Sequence, residues 1–395
     1  MLADSTVNDR EEYSTCNPAP GAQLRSIVSS NRFHIPSLDG IRGTAALLVF
    51  ISHAGFKDLV PGGFGVTIFF FLSGFLITTL LRQEYQETQD ISLKAFYIRR
   101  AYRILPPMYL VLIFLMLPFI NGSDRPIPTS AIFAQFLHLS NYYEIFEGPM
   151  RMIPATGPMW SLAIEEHFYV LFPLLLLLLL RRAPPAKAGR VLMVGCVVVL
   201  LWRCILIFGM HATSDYTYYA TDTRVDSLLY GCIMALCLNP ILDPWTLAIR
   251  RTTWIPLLAA SVAVLLLTFL YRAVWSRDTI RYSLQGLALT PLFFCAVRYS
   301  TWPIFSWLDS RPMRAMGLIS YTFYLIHVKA IGFTERYMEP NRWSTRFVAL
   351  ALAIAFSTVM YLLVEKRFAE LRRQLHALQV KPRHTAMSAR AADTP

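Results

Sequence analysis

Charge is scarce in this chain, and so are the signatures of most soluble enzymes. Asp, Glu, Lys and Arg together supply only 16% of the 395 residues. No Walker-type phosphate loop, GxGxxG fingerprint or HExxH helix occurs, which removes ATP-driven transport, dinucleotide chemistry and zinc hydrolysis of the usual kinds. The six cysteines, Cys16, Cys196, Cys204, Cys232, Cys237 and Cys295, show no CxxC spacing. Five of them lie in or near apolar runs and read as small buried hydrophobes, so neither a metal nor a redox site is expected.

What is present is hydrophobic length. Apolar residues make up 55% of the chain, and candidate spans recur at 40–57, 62–82, 104–121, 161–180, 190–210, 224–239, 254–271, 281–298, 315–333 and 346–364, each near the spanning length of about 20 residues. The expected fold is all-α, a polytopic transmembrane bundle of about ten spans. An eleventh stretch, 129–146, contains Gln135, His138, Asn141 and Glu144 and reads as re-entrant, short or interfacial.

The basic residues orient the bundle. Arg82, Lys94, Arg99, Arg100 and Arg103 lie in the connection 82–103, and Arg181, Arg182, Lys187 and Arg190 in 181–190. Both connections are expected on the cytoplasmic side, with both termini. The net charge of +12 follows largely from these loops, so the bilayer and not nucleic acid is the expected partner. Residues 1–36 read as a mobile tail, 37–368 as the membrane domain and 369–395 as a basic tail. No signal-peptide core precedes residue 37, and the first span reads as an uncleaved insertion signal.

Ionisable residues inside apolar spans are expensive and mark functional sites by default. His53 lies within such a run, with Arg42 eleven residues before it. At 100° per residue the two share one helix face about 16 Å apart along the axis. Phe69 to Leu76 places Ser73 and Gly74 among aromatic residues, a composition suited to close helix packing and to walling a cavity. Arg99, Arg100 and Arg103 form a cationic patch flanked by Tyr97 and Tyr102; guanidinium forks bind phosphate oxygens, and the same residues also serve as a positive-inside signal.

Glu165 and Glu166 open a span after Trp160 and Ser161 and point about 100° apart, so they cannot both face one cavity squarely. Arg224 and Asp226 stand at a membrane boundary with a spacing that favours partners on other helices. Ser320, Tyr324 and His327 make a polar stripe on an apolar helix.

Read in order, these motifs resemble the acyltransferase 3 family of integral-membrane O-acyltransferases. The carriers are Ser37-Leu38-Asp39-Gly40-Ile41-Arg42-Gly43, the Arg42-x10-His53 pair, Phe69 to Leu76, Arg100-x-x-Arg103, Trp160-Ser161-Leu162 with Glu165-Glu166, Arg224-x-Asp226-Ser227, and Ser320-Tyr321 with Tyr324 and His327. The resemblance implies acyl transfer, usually of acetyl, from a cytosolic acyl-CoA co-substrate, with no bound cofactor. The implied acceptor is a hydroxyl of an envelope polysaccharide or lipid-linked sugar, at a bacterial inner membrane. His53 is implied as the essential residue and Arg42 as its companion. Glu165 and Glu166 join the catalytic set, and Arg100, Arg103 and Tyr102 the acyl-CoA contacts. Ser73, Trp160, Tyr324, His327, Arg224 and Asp226 are expected to line the cavity.

An SGNH hydrolase-like domain, found in one branch of the family, is not expected after the last span, which leaves a separate periplasmic acyl-transfer partner open. A macrolide-like or other small metabolite is the alternative acceptor. A proton-coupled transporter is the alternative class, although the two halves contain no matching pair of Gly/Pro-interrupted spans.

Overall fold

A computed structural model describes residues 35–120, 126–340 and 342–372. The expected tail 1–36 falls almost wholly outside the described residues, as does most of 369–395. Among the described residues there is no strand, and each of the ten expected segments is helical. The principal helices are α1 (Pro36–Ile51), α2 (Gly62–Thr88), α3 (Leu93–Ile120), α4 (Thr129–Phe136), α5 (Ser140–Glu147) and α6 (Trp160–Arg182). They continue with α7 (Pro185–Cys204), α8 (Asp226–Cys237), α9 (Arg251–Leu270), α10 (Arg281–Arg298), α11 (Arg311–Tyr337) and α12 (Trp343–Met360).

Seven helical segments among the described residues are long and apolar enough to cross a membrane, and the chain is a multi-pass membrane protein. The stretch around 129–146 forms two eight-residue helices, α4 and α5, each rising only about 12 Å and too short to span. Helix α8 is also short. Its 12 residues follow the turns Ser214–Tyr219 and Thr221–Arg224, because the expected span begins with charged side chains that fold inward.

Local sequence sets the ends that matter for the site. Pro36 opens α1, where its missing N–H costs nothing. The helix then widens into a π turn, Ser52–Phe56, that contains Gly55 at φ 99°, a conformation open to glycine at little cost. Such π turns within helices recur at functional sites, and this one carries His53. The short connection to α2 makes α1 and α2 an antiparallel pair.

Small residues set the packing. A Cβ at Gly317 of α11 would sit 2.0 Å from the backbone oxygen of Asp39 in α1, so these two helices meet at backbone distance. Gly74 of α2 and Gly231 of α8 do the same: added Cβ atoms would lie 2.0 Å from the oxygens of Leu228 and Phe71 respectively. The close approach that Gly74 suggests in sequence is therefore made with α8. Helices α7, α9 and α12 carry exposed Val198, Leu267 and Val359, the surface a lipid-facing helix requires.

Two contacts sort the connections onto opposite ends of the bundle. Arg181 pairs with Asp90 at 2.9 Å, joining the α6–α7 and α2–α3 connections. At the other end of α2, Arg272 donates to the Asp58 carbonyl at 2.6 Å, joining the α9–α10 connection to the α1–α2 turn.

Candidate active site

A cavity of about 440 Å³ lies at the Asp58 end of the bundle. Its lining comes from four directions: Ser52 and His53 after α1, Gly62 and Gly63 opening α2, Trp160 opening α6, and Tyr324 from α11. Glu144 of α5 and the pair Tyr218 and Tyr219 complete it.

His53 is exposed within this space, and its protonation pattern follows from its neighbours. Its Nδ1 stands 2.9 Å from the Val49 carbonyl oxygen. A carbonyl only accepts, so Nδ1 carries the proton and Nε2 keeps its lone pair. The buried His327 follows the same rule. Its Nδ1 lies 2.7 Å from the Tyr324 carbonyl, which leaves its Nε2 an acceptor, 3.4 Å from Nδ1 of His53. Both contacts put the His53 proton on the same nitrogen.

Tyr324 ties the cavity to the start of α6. Its hydroxyl donates to the Pro158 carbonyl at 2.8 Å and sits 2.8 Å from Ser161 Oγ. The wall beside it is aromatic. Trp160 lies 4.9 Å from Tyr218 and 5.2 Å from Tyr219 between ring centroids, and the two Tyr rings stand at 89° to each other.

Behind that wall lies Arg224. It is fully buried and is not among the residues that line the cavity. Its guanidinium sits 3.8 Å from the Tyr282 ring centroid, 5.4 Å from Tyr218 and 5.6 Å from Trp160. It donates to the Tyr218 carbonyl and to Thr67 Oγ1, each at 3.3 Å. Among the described residues it forms no ion pair, so aromatic faces and two neutral acceptors hold this cation. Asp226 is elsewhere: it pairs with Arg203 at 2.7 Å, both fully buried, and accepts from Ser283 at 3.0 Å.

A second polar group occupies the level of Arg42. Gly62 packs on Ser52 and Gly65 on Ala45 and Val49, so the antiparallel descent of α2 brings Ser73 down beside the Arg42 level and away from His53. Ser73 Oγ lies 2.5 Å from the Tyr169 hydroxyl, which donates to Glu165 at 2.9 Å. Arg100 lies over the Tyr169 ring, 5.1 Å from its centroid, and within electrostatic reach of Glu165 and Glu166. Arg42 pairs with Asp39 at 3.1 Å and is an electrostatic neighbour of Arg100 and Arg103.

Arg103 is exposed. Tyr102 is half-buried and faces Phe368, 6.0 Å between centroids. Tyr324 lies between the two levels, in reach of Glu165 on one side and Glu144 on the other.

The structure thus divides the expected residues into a cavity with His53, Trp160 and Tyr324, backed by His327, and a charged group with Arg42, Ser73, Arg100, Arg103, Glu165 and Glu166. Sequence reasoning missed Glu144, Tyr218 and Tyr219 as site residues. A signal existed in the aromatic run Tyr216-Thr217-Tyr218-Tyr219 between spans and in a carboxylate within an otherwise weakly polar segment. Burial pushes the Glu144 carboxyl up to about 7.

Fold and site together define a multi-pass helical membrane protein whose ionisable groups are gathered inside the bundle. A family model described as an acyltransferase domain matches residues 35–362, and the chain belongs to the acyltransferase 3 family. It is 31% identical over 313 residues to O-acetyltransferase OatA of Staphylococcus aureus strain NCTC 8325 / PS 47, covering 77% of this chain and 52% of that protein. A candidate O-acetyltransferase of S. aureus strain COL is also 31% identical, over 350 residues, covering 85% of this chain and 57% of its own length. The chain therefore spans just over half the length of these curated relatives. No solved structure matches it.

Proposed function

We propose that this protein is an O-acyltransferase that moves an acyl group, most simply acetyl, from cytosolic acyl-CoA to a hydroxyl of an envelope polysaccharide or lipid-linked sugar at a bacterial inner membrane. Family membership supports acyl transfer. The relatives named O-acetyltransferase support acetyl as the group. The observation that carries the reading is the fixed tautomer of His53, whose unprotonated Nε2 is left for the cavity.

In this reading the acceptor oxygen attacks the thioester carbonyl carbon while His53 Nε2 takes its proton. The C–S bond breaks, and the proton passes to the departing CoA sulfur, leaving an ester, free CoA thiol and neutral His53. General-base assistance of this kind contributes typically 10²–10⁴-fold in rate. Arg100 and Arg103 are the phosphate contacts, because bidentate guanidinium forks suit the donor's anionic end. Arg42 and Arg100, set against Glu165 and Tyr169, hold that region positively charged along the donor's path. The alternative order, in which His53 is acylated first, uses the same free nitrogen.

The test is turnover by the purified full chain in detergent. Acetyl-CoA with envelope glycan isolated from a strain lacking this protein should yield free CoA and an acetylated glycan, and His53→Ala should lose both by about 10²–10⁴-fold while inserting normally. Labelled acetyl retained on the protein without acceptor, and absent from His53→Ala, would select the covalent order. Transport with no CoA release would overturn acyl transfer in favour of a transporter.

A further inference from the structure

The cavity that holds His53 is lined by a second hydrogen-bond acceptor, the carboxyl group of Glu144. Glu144 is the only carboxylate among the described lining residues. It is 8% exposed, and its Oε2 has no hydrogen-bond partner among the described atoms. A buried carboxylate oxygen left without a donor is costly, and packing alone does not account for it. It belongs to α5, one of two helices too short to span, and is that helix's contribution to the cavity lining. The Tyr219 side chain hydrogen-bonds this carboxyl group while its ring completes the aromatic corner with Trp160 and Tyr218, and Oε2 remains the unpartnered oxygen.

His53 Nε2 and the Glu144 carboxyl group are both acceptors, and both residues line one cavity. A ligand with one hydroxyl can satisfy only one of them. A ligand with two or more hydroxyls on a compact, partly apolar frame can donate to both while its C–H faces cover the rings of Trp160 and Tyr218. The rings are held in place before the ligand arrives, since Arg224 is clamped behind them by Tyr282, Thr67 and the Tyr218 carbonyl. A pre-formed pocket with a few placed polar groups among aromatic walls is the usual form of a small-ligand site, and its volume lies within the usual range.

The geometry points to Glu144 as the residue that holds the acceptor: it binds a second hydroxyl of a polyhydroxylated sugar so that a neighbouring hydroxyl meets His53, with Trp160 and Tyr218 as the stacking wall. This assignment rests on the acyl-transfer reading for the role of His53, but the binding site itself does not.

Two measurements on the purified full chain separate the two. In the first, chitotetraose serves as the sugar probe, and its equilibrium binding is followed by calorimetry without any donor. Saturable binding to wild type and to His53→Ala is expected, weakened at least about 10-fold in Glu144→Gln, which keeps the shape but removes the charge-assisted hydrogen bond. In the second, CoA release from acetyl-CoA is followed against chitotetraose. Glu144→Gln should raise KM for the sugar by a similar factor and leave KM for acetyl-CoA within about twofold.

No saturable binding to wild type would overturn the sugar site. Equal binding by Glu144→Gln would overturn the role of Glu144, as would equal rises in both KM values, which mark a structural residue. Glu144-dependent binding without CoA release from any form would leave this site standing and remove acyl transfer.

Discussion

The imidazoles of His53 and His327 meet with Nδ1 of the first 3.4 Å from Nε2 of the second, ring centroids 5.0 Å apart and planes at 67°. Each ring is pinned through a backbone carbonyl, so the pair has one consistent assignment of protons. Removing the His327 acceptor should loosen His53 without removing its base. His327→Leu is expected to lower kcat by about 2- to 10-fold, the worth of one neutral hydrogen bond, with both KM values little changed. His327→Gln, which keeps an acceptor oxygen, should recover much of the loss. A His327→Leu enzyme as inactive as His53→Ala would instead place His327 in the chemistry itself.

Arg103 is exposed, whereas Arg100 is held over Tyr169 and Phe96. If both contact the donor's phosphates, losing either removes binding that is equal in ground and transition states. Each Arg→Ala change should then raise KM for acyl-CoA by roughly 10- to 150-fold, from about 1.5–3 kcal/mol per charged hydrogen bond. Lys should rescue Arg103 better than Arg100, because only Arg100 also uses its planar face. A fall in kcat with KM unchanged would show that the patch does not anchor the donor.

Asp226 should behave as a stability residue. It shares a fully buried ion pair with Arg203, and removing one member of such a pair strands the other, at a cost of about 3–5 kcal/mol. Asp226→Ala should therefore lower the unfolding temperature in detergent and the amount of folded protein. The folded fraction should keep wild-type KM values. Normal thermal stability with lost activity would return Asp226 to the reaction.

The Arg181–Asp90 pair places two basic connections at one face, opposite the Asp58–Arg272 contact. With the basic side inward, Lys187→Cys should resist a membrane-impermeant thiol reagent in intact cells, and Lys57→Cys should label, each in a background without native cysteines. The reverse pattern would invert the topology.

The Glu144 carboxyl, held up to about 7 by burial despite the Tyr219 hydrogen bond, with Asp215 raising it further, ionises above that pH and protonates below it. Tyr218 and Tyr324 also face it electrostatically, and His53 shares its cavity. Sugar binding should weaken from pH 8 to pH 6 as the acceptor charge is lost. Glu144→Gln should remove that part of the dependence while leaving whatever the other groups contribute. Identical pH profiles for the two proteins would exclude titration of Glu144 from binding.

The helical, multi-pass architecture is legible in the chain before any folding, because run length and the distribution of Lys and Arg answer to the bilayer before any tertiary contact forms. His53 is marked there too, since an imidazole in an apolar run is costly to place unless it has a task. Contacts between segments far apart in the chain are not legible in this way. Asp226 stands two residues from Arg224 yet pairs with Arg203, and Arg224 turns instead to aromatic faces. Ser73 and His53 lie on adjacent spans but at different levels, because the tight connection after the π turn fixes the antiparallel register. Glu144 acquired its place in the His53 cavity only through the packing of a non-spanning helix against α6. Periodicity reports which face of a helix is polar, whereas the packing of distant helices settles what that face meets.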